Sequence, residues 1–216
     1  TSNKKDSETT IPANTLISTQ GVMITKDPKV RYIKGYPDHT FRPEQPITRE
    51  EVISLLYRLV VNEDKEYTNG TVSMFKDLDA NSLSSQAIMY FYQNDLISGY
   101  KDGTFKPNNS ITRAEFITII AHFIPEDILD TDITFSDTKN HWASLSIQKA
   151  TNIGWIKGYE DNTFKPDQLL TRAEVITIMN RILNKENDDS DFLSENSYLD
   201  VPKNHWAYEE IMKASK

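Results

Sequence analysis

The chain has 216 residues, of which 38% are hydrophobic and 10% aromatic, enough apolar material for one compact domain or a short array. A formal charge of -8 argues against nucleic acid, whose phosphates are gripped by clustered Lys and Arg. The absence of cysteine excludes disulfides, thiolate metal sites and a cysteine nucleophile, and no apolar run approaches the roughly 20 residues of a membrane span.

Residues 1–20 read as a polar linker or tail, and the missing initiator Met reads as a mature or excised piece of something longer. Gly21–Ile24 and Val30–Ile33 suit short extended stretches, broken at Asp27-Pro28. A loop from Gly35 to Pro43 then leads to a helix carrying Val52, Leu55, Leu56, Leu59 and Val60 at helical spacing. A second unit opens at Phe75-Lys76-Asp77. Its first helix is expected from about Ser82 to Asp95, and after a loop its second buries Phe116, Ile119, Ile120 and Phe123.

The third unit opens at Phe135-Ser136-Asp137, passes His141-Trp142-Ala143 and carries Ile147, Ala150 and Ile153 along a helix. Its loop leads to a helix bearing Val175, Ile178, Met179 and Ile182. An acidic stretch, Lys185 to Asp191, links to Tyr198-Leu199-Asp200 and His205-Trp206-Ala207, which repeat the opening of unit three. Unit one therefore lacks a first helix, while the chain closes on a first helix with no loop after it. The expected division is a tail (1–20), unit one (21–70), unit two (71–130), unit three (131–190) and a C-terminal half unit (191–216) that completes unit one.

The repeat itself reads Gly-Tyr, an Asp-centred turn, Thr-Phe-x-Pro, then Thr-Arg-x-Glu. It occurs from Gly35, Gly99 and Gly158, with 13 residues from glycine to helix-start threonine each time. Glycine suits a left-handed position ending a helix. Asp38-His39, Asp102-Gly103 and Asp161-Asn162 are turn-formers tolerant of positive φ. Phe41, Phe105 and Phe164 suit core anchors. Thr48/Glu51, Thr112/Glu115 and Thr171/Glu174 form capping boxes.

Arg49, Arg113 and Arg172 stand where the helix dipole prefers an anion, so capping does not explain them. Two readings stay open. In one, unpaired helix-start N–H groups and a guanidinium fork converge on a carboxylate or phosphate. In the other, each arginine pairs with a neighbouring Asp or Glu. Trp142 and Trp206, early in their helices, suit the core more often than a ligand platform. His141 and His205 have no partner at metal-ligand spacing, no catalytic constellation recurs, and no cofactor is expected.

Phe-x-Asp, His-Trp-Ala, Gly-Tyr-x-Asp-x-Thr-Phe-x-Pro and Ile-Thr-Arg-Ala-Glu together resemble the S-layer homology (SLH) family, in three copies from about Tyr32 to Ala214. The resemblance implies an all-α fold of three helix–loop–helix repeats in a pseudo-threefold arrangement. It also implies a non-catalytic module anchoring an extracellular protein to the wall of a Gram-positive-type bacterium. The ligand it implies is a secondary cell-wall polysaccharide with ketal-linked pyruvate, held in grooves between repeats.

Carried across by position, the ligand-binding residues are Arg49, Arg113 and Arg172, with Gly35, Tyr36, Asp38, Gly99, Tyr100, Asp102, Gly158, Tyr159, Asp161, Trp142 and Trp206. Unit two departs from the pattern: Leu83 falls where Trp142 does, so the grooves are expected to be unequal. The alternatives are a protein-interaction or surface-assembly module, or recognition of modified peptidoglycan.

Overall fold

The structure, a computed structural model, describes residues 15–27, 29–61, 74–79, 81–126, 134–185 and 198–215. Among these are six helices and one two-stranded sheet. The helices are α1 (Arg49–Leu59), α2 (Leu83–Gln93), α3 (Arg113–Ala121), α4 (Ser144–Asn152), α5 (Arg172–Ile182) and α6 (Tyr208–Ala214). The strands β1 (Thr15–Ile17) and β2 (Met23–Thr25) pair antiparallel, with Leu16 opposite Ile24.

The second helix of each unit starts where its sequence says. At α1, α3 and α5 the N-cap threonine accepts from the third helical amide, and the glutamate returns to the threonine amide. Helix α2 takes Ser82 as its cap. The apolar positions expected on the helices are buried except Ile153, which is partly buried at the end of α4, and Phe41, Phe105 and Phe164 are at most 1% exposed. Each such phenylalanine contributes on the order of 1.5–3 kcal/mol by leaving water.

The units meet at a closed ring of backbone hydrogen bonds. Ile47 N–H donates to Leu170 O (3.0 Å), Leu170 N–H to Ile111 O (3.1 Å), and Ile111 N–H back to Ile47 O (3.0 Å). All three residues are fully buried. Each strand-like entry to a helix thus touches both others, fixing the threefold relation. Around this axis α1 packs on α2, α3 on α4 and α5 on α6.

Closure by the chain end is direct. In units two and three, two successive loop amides converge on one aspartate. Asp77 accepts from Phe105 (2.9 Å) and Lys106 (2.7 Å), and Asp137 from Phe164 (2.8 Å) and Lys165 (2.7 Å). In unit one the same place is taken by Asp200, which accepts from Phe41 (2.8 Å) and Arg42 (2.7 Å). Residues 42, 106 and 165 adopt φ of 56–59°, turning both amides onto one carboxylate. The segment before α6 therefore completes the first repeat.

Three expectations change. Residues 15–17, placed in the tail, form β1, because Leu16 packs against the core and the strand pairs with β2. The stretch Val30–Ile33 pairs with the chain end instead of forming its own strand: the Tyr32 and Ile33 amides both donate to Ala214 O (3.1 and 3.3 Å). Gly35, Gly99 and Gly158 are not left-handed. They are glycine because an added Cβ would lie 2.1–2.2 Å from a ring carbon of Tyr198, Phe75 or Phe135. Residues 1–14 of the tail, and residues 186–197, which take in the acidic link after Lys185, lie outside the described residues.

Asp200→Ala removes two charge-assisted bonds that no other described group supplies, and is expected to cost about 2–4 kcal/mol of stability. Deleting residues 198–216 is expected to destabilise the whole domain. Thermal unfolding checks both; an unchanged melting temperature in either variant contradicts the closure.

Candidate functional site

Each second helix starts against the loop of the next unit, in a cycle. The first two amides of α1 donate to Asn109 O and Pro107 O, those of α3 to Gln168 O and Pro166 O, and those of α5 to Gln45 O and Pro43 O, all at 2.9–3.1 Å. With the third amide bonded to the cap threonine, the helix-start N–H groups are fully used. The expectation that unpaired helix-start amides meet an anion is therefore corrected. What remains for a ligand is side chain.

The arginines lie across the same junctions. Arg49 Nε donates to Phe105 O (3.0 Å), Arg113 Nε to Phe164 O (2.9 Å) and Arg172 Nε to Phe41 O (2.9 Å). A second nitrogen reaches Ser98 O, Lys157 O and Lys34 O, respectively, at 3.1–3.4 Å. Every guanidinium also sits over its loop phenylalanine and tyrosine, with centroid distances of 4.5–5.2 Å. All three are buried, which makes each arginine a pin between units as well as a charge.

The pairing reading is realised at two junctions. Arg49 Nη1 meets Glu115 Oε1 at 3.1 Å, and Arg172 Nη1 meets Glu51 Oε1 at 2.7 Å. At those junctions the tyrosine hydroxyl donates to the same carboxylate oxygen, from Tyr100 (3.3 Å) and Tyr36 (3.0 Å). Burial is the main cause pushing both phenols above their ordinary value. At the remaining junction Arg113 forms no ion pair within 4 Å among the described residues, and the Tyr159 hydroxyl lies 3.5 Å from Gln168 Oε1 instead.

Two grooves open here. The first, about 450 Å³, brings together Arg49, Gly99, Tyr100 and Trp142, with Asp95, Glu115 and His122 on its walls. Burial lowers the His122 imidazole below its ordinary value, which favours the neutral form. The second, about 260 Å³, brings together Arg113, Tyr159 and Trp206, with Lys157, Glu174 and Arg181. At the third junction Arg172 and Tyr36 meet, and Leu83, 71% exposed, stands at the position corresponding to Trp142.

Trp142 and Trp206 are 65% and 59% exposed, so the core reading of these indoles is corrected. Ala143 and Ala207 turn inward in their place, and each indole is left beside its histidine on the groove rim. Trp206 is held: its Nε1–H donates to Glu44 Oε1 (3.1 Å), which also contacts His205 Nε2 (3.2 Å). Asp38, Asp102 and Asp161 are used inside their turns, each accepting from the amide and hydroxyl of the threonine two residues on. Those bonds, with Arg42 adding to them, hold Asp38 down to about 2. Asp102 and Asp161 do not line the two grooves.

Sequence reading passed over Lys157, Arg181, Asp95 and His122 as groove residues. Arg58, His122 and Arg181 share one offset from the helix-start arginine, but their identity differs between units. A search for what repeats does not see them.

A profile of the S-layer homology domain matches residues 32–53, 75–117 and 134–176. The chain belongs to this family. It is 35% identical over 84% of its length to Cell surface glycoprotein 1 of Acetivibrio thermocellus, covering 8% of that protein. It is 36% identical over 83% of its length to the Cellulosome-anchoring protein of the same organism, covering 41% of it. An S-layer protein of Bacillus licheniformis is 29% identical over 62% of the chain, which covers 15% of it. The chain thus spans less than half the length of each of these relatives.

Arg172 has the tighter set of partners, so Arg172→Ala is expected to cost about 3 kcal/mol, taking the countercharge from Glu51 and the guanidinium donors from the Phe41 and Lys34 carbonyls. Arg113→Ala, which strands no paired carboxylate, is expected to cost clearly less. Denaturant unfolding of the two variants checks the order, and equal costs or the reverse order contradict it.

Proposed function

We propose that this domain is a non-catalytic anchor that holds its parent protein to the bacterial wall, outside the cell, by binding an anionic secondary cell-wall polysaccharide. The observation that carries this is the second groove. There a buried guanidinium without a paired carboxylate, a tyrosine and an indole 59% exposed line one cleft on a domain of net charge -8. An acidic protein with a locally cationic, aromatic-walled cleft is suited to a sugar that carries a carboxylate: the indole stacks on the ring and the guanidinium takes the acid.

A ketal-linked pyruvate supplies that carboxylate. The neighbouring helix amides cannot, by their occupancy, contribute to its recognition. The relatives support anchoring as the task, since one is named for it and the others are surface proteins. Gly35, Gly99 and Gly158 serve the site by letting each loop approach the aromatic ring behind it, and Asp38, Asp102 and Asp161 by fixing the turn.

Because the arginines are also pins, the exposed indoles give the cleaner test. The double variant Trp142→Ala/Trp206→Ala is expected to melt within a few degrees of the parent and to lose most of its co-sedimentation with purified wall polysaccharide. De-pyruvylated polysaccharide is expected to retain little of the parent protein. Undiminished binding by the double variant, or equal binding to both polymers, contradicts the proposal and favours protein assembly or peptidoglycan recognition.

A further inference from the structure

Resting on the wall-polymer reading, we infer that the three junctions form an unequal set in which the Arg113–Trp206 groove is the primary anion site. In the other two, the capping glutamate acts as an internal competitor that occupies the arginine in place of the ligand's carboxylate.

The three junctions share one framework, so their differences stand out. Arg49 and Arg172 each direct Nη1 to a carboxylate oxygen of the capping glutamate, and the loop tyrosine donates to the same oxygen. A ligand carboxylate arriving there must displace a glutamate tethered by its capping bond, whose other oxygen accepts from the threonine amide at 2.9 Å. That intramolecular partner is always present, which lowers the apparent affinity for an external one. Arg113 differs. Its residue is 8% exposed, Nε and Nη2 are bonded to carbonyls, and Nη1 meets no described acceptor.

The surrounding charges point the same way. The Arg113 groove carries Lys157 and Arg181 besides Arg113, against one carboxylate, Glu174. Arg181 donates to Trp155 O (2.9 Å) while Arg113 donates to Lys157 O (3.4 Å), so both guanidiniums flank one short backbone segment. The Arg49 groove carries a single guanidinium against Asp95 and Glu115, with His122 where Arg181 stands. An anion entering the first environment meets net positive charge, and entering the second, net negative charge. Burial lowers the Arg113 pKa from its ordinary value, with Tyr159, Glu174 and Asp137 opposing, as expected of a charge short of compensation.

The aromatic wall is also better set there. Trp206 is anchored through Nε1 to Glu44, whereas Trp142 Nε1 has no described partner, since Asp167 at the matching loop position is one methylene shorter and reaches only His141, at 3.4 Å. Glu44 is thus a positioning residue for the primary groove.

The two grooves each contain one exposed tryptophan, so their occupancy can be read separately from the indole N–H resonances, assigned by single Trp→Phe variants. The probe is a hexoside bearing a pyruvate ketal, with the same hexoside lacking it as control. The Trp206 signal is expected to shift at a concentration about tenfold lower than that of Trp142, and Glu115→Gln, which keeps the capping bond, is expected to strengthen the Trp142 response about three- to tenfold. Glu44→Ala is expected to weaken the Trp206 response alone.

Equal response of the two indoles, or Trp142 responding first, overturns the inference while leaving wall anchoring intact. So does a Glu115→Gln variant whose Trp142 response is unchanged. If neither indole moves although the domain still co-sediments with wall polymer, the inference fails and the ligand sits elsewhere. If co-sedimentation itself is absent, the anchoring reading fails with it.

Discussion

Everything in this domain depends on a triangle of three backbone hydrogen bonds between Ile47, Ile111 and Leu170. A hydrogen bond of this kind contributes only about 1 kcal/mol net, but leaving a buried amide or carbonyl unpaired costs more. With all three residues excluded from water, the triangle is satisfied only when all three units are present. That makes the threefold arrangement all-or-none; the C-terminal segment completes unit one by a separate contact, Asp200 on the Phe41 and Arg42 amides.

The same constraint decides what the site can be made of. Docking each helix start on the next unit's loop consumes its free amides, so the helix dipole cannot serve a ligand through them. The arginine is then the one helix-start group with capacity left, and how much is left depends on the glutamate two residues further on in the neighbouring helix start. Repetition fixes the frame. Small departures from it, in Arg181, His122 and Glu44, set the charges around each groove.

Much of the fold was legible in the sequence because its signals are local. The capping boxes, apolar periodicity and turn residues each act within a few positions, and the phase shift of the repeats pointed to closure by the chain end. The pairing of aspartates 77, 137 and 200 with loop amides was not legible, since it joins residues 27–159 positions apart. Nor was the reason for Gly35, Gly99 and Gly158, whose close neighbour is a ring from a distant segment. The site was half legible. Arginine, tyrosine and tryptophan carry a repeated signature, while the charges that distinguish the grooves are the residues that do not repeat. The tryptophans were misjudged as core because the adjacent alanine fills the space an indole cannot.

Native-state hydrogen exchange at the Ile47, Ile111 and Leu170 amides reads whether the backbone triangle is the keystone of a single cooperative unit. All three are expected to exchange only through global unfolding, with the same free energy as each other and as denaturant unfolding. Exchange of any one of them through a markedly cheaper local opening, with the other two still protected, would contradict it.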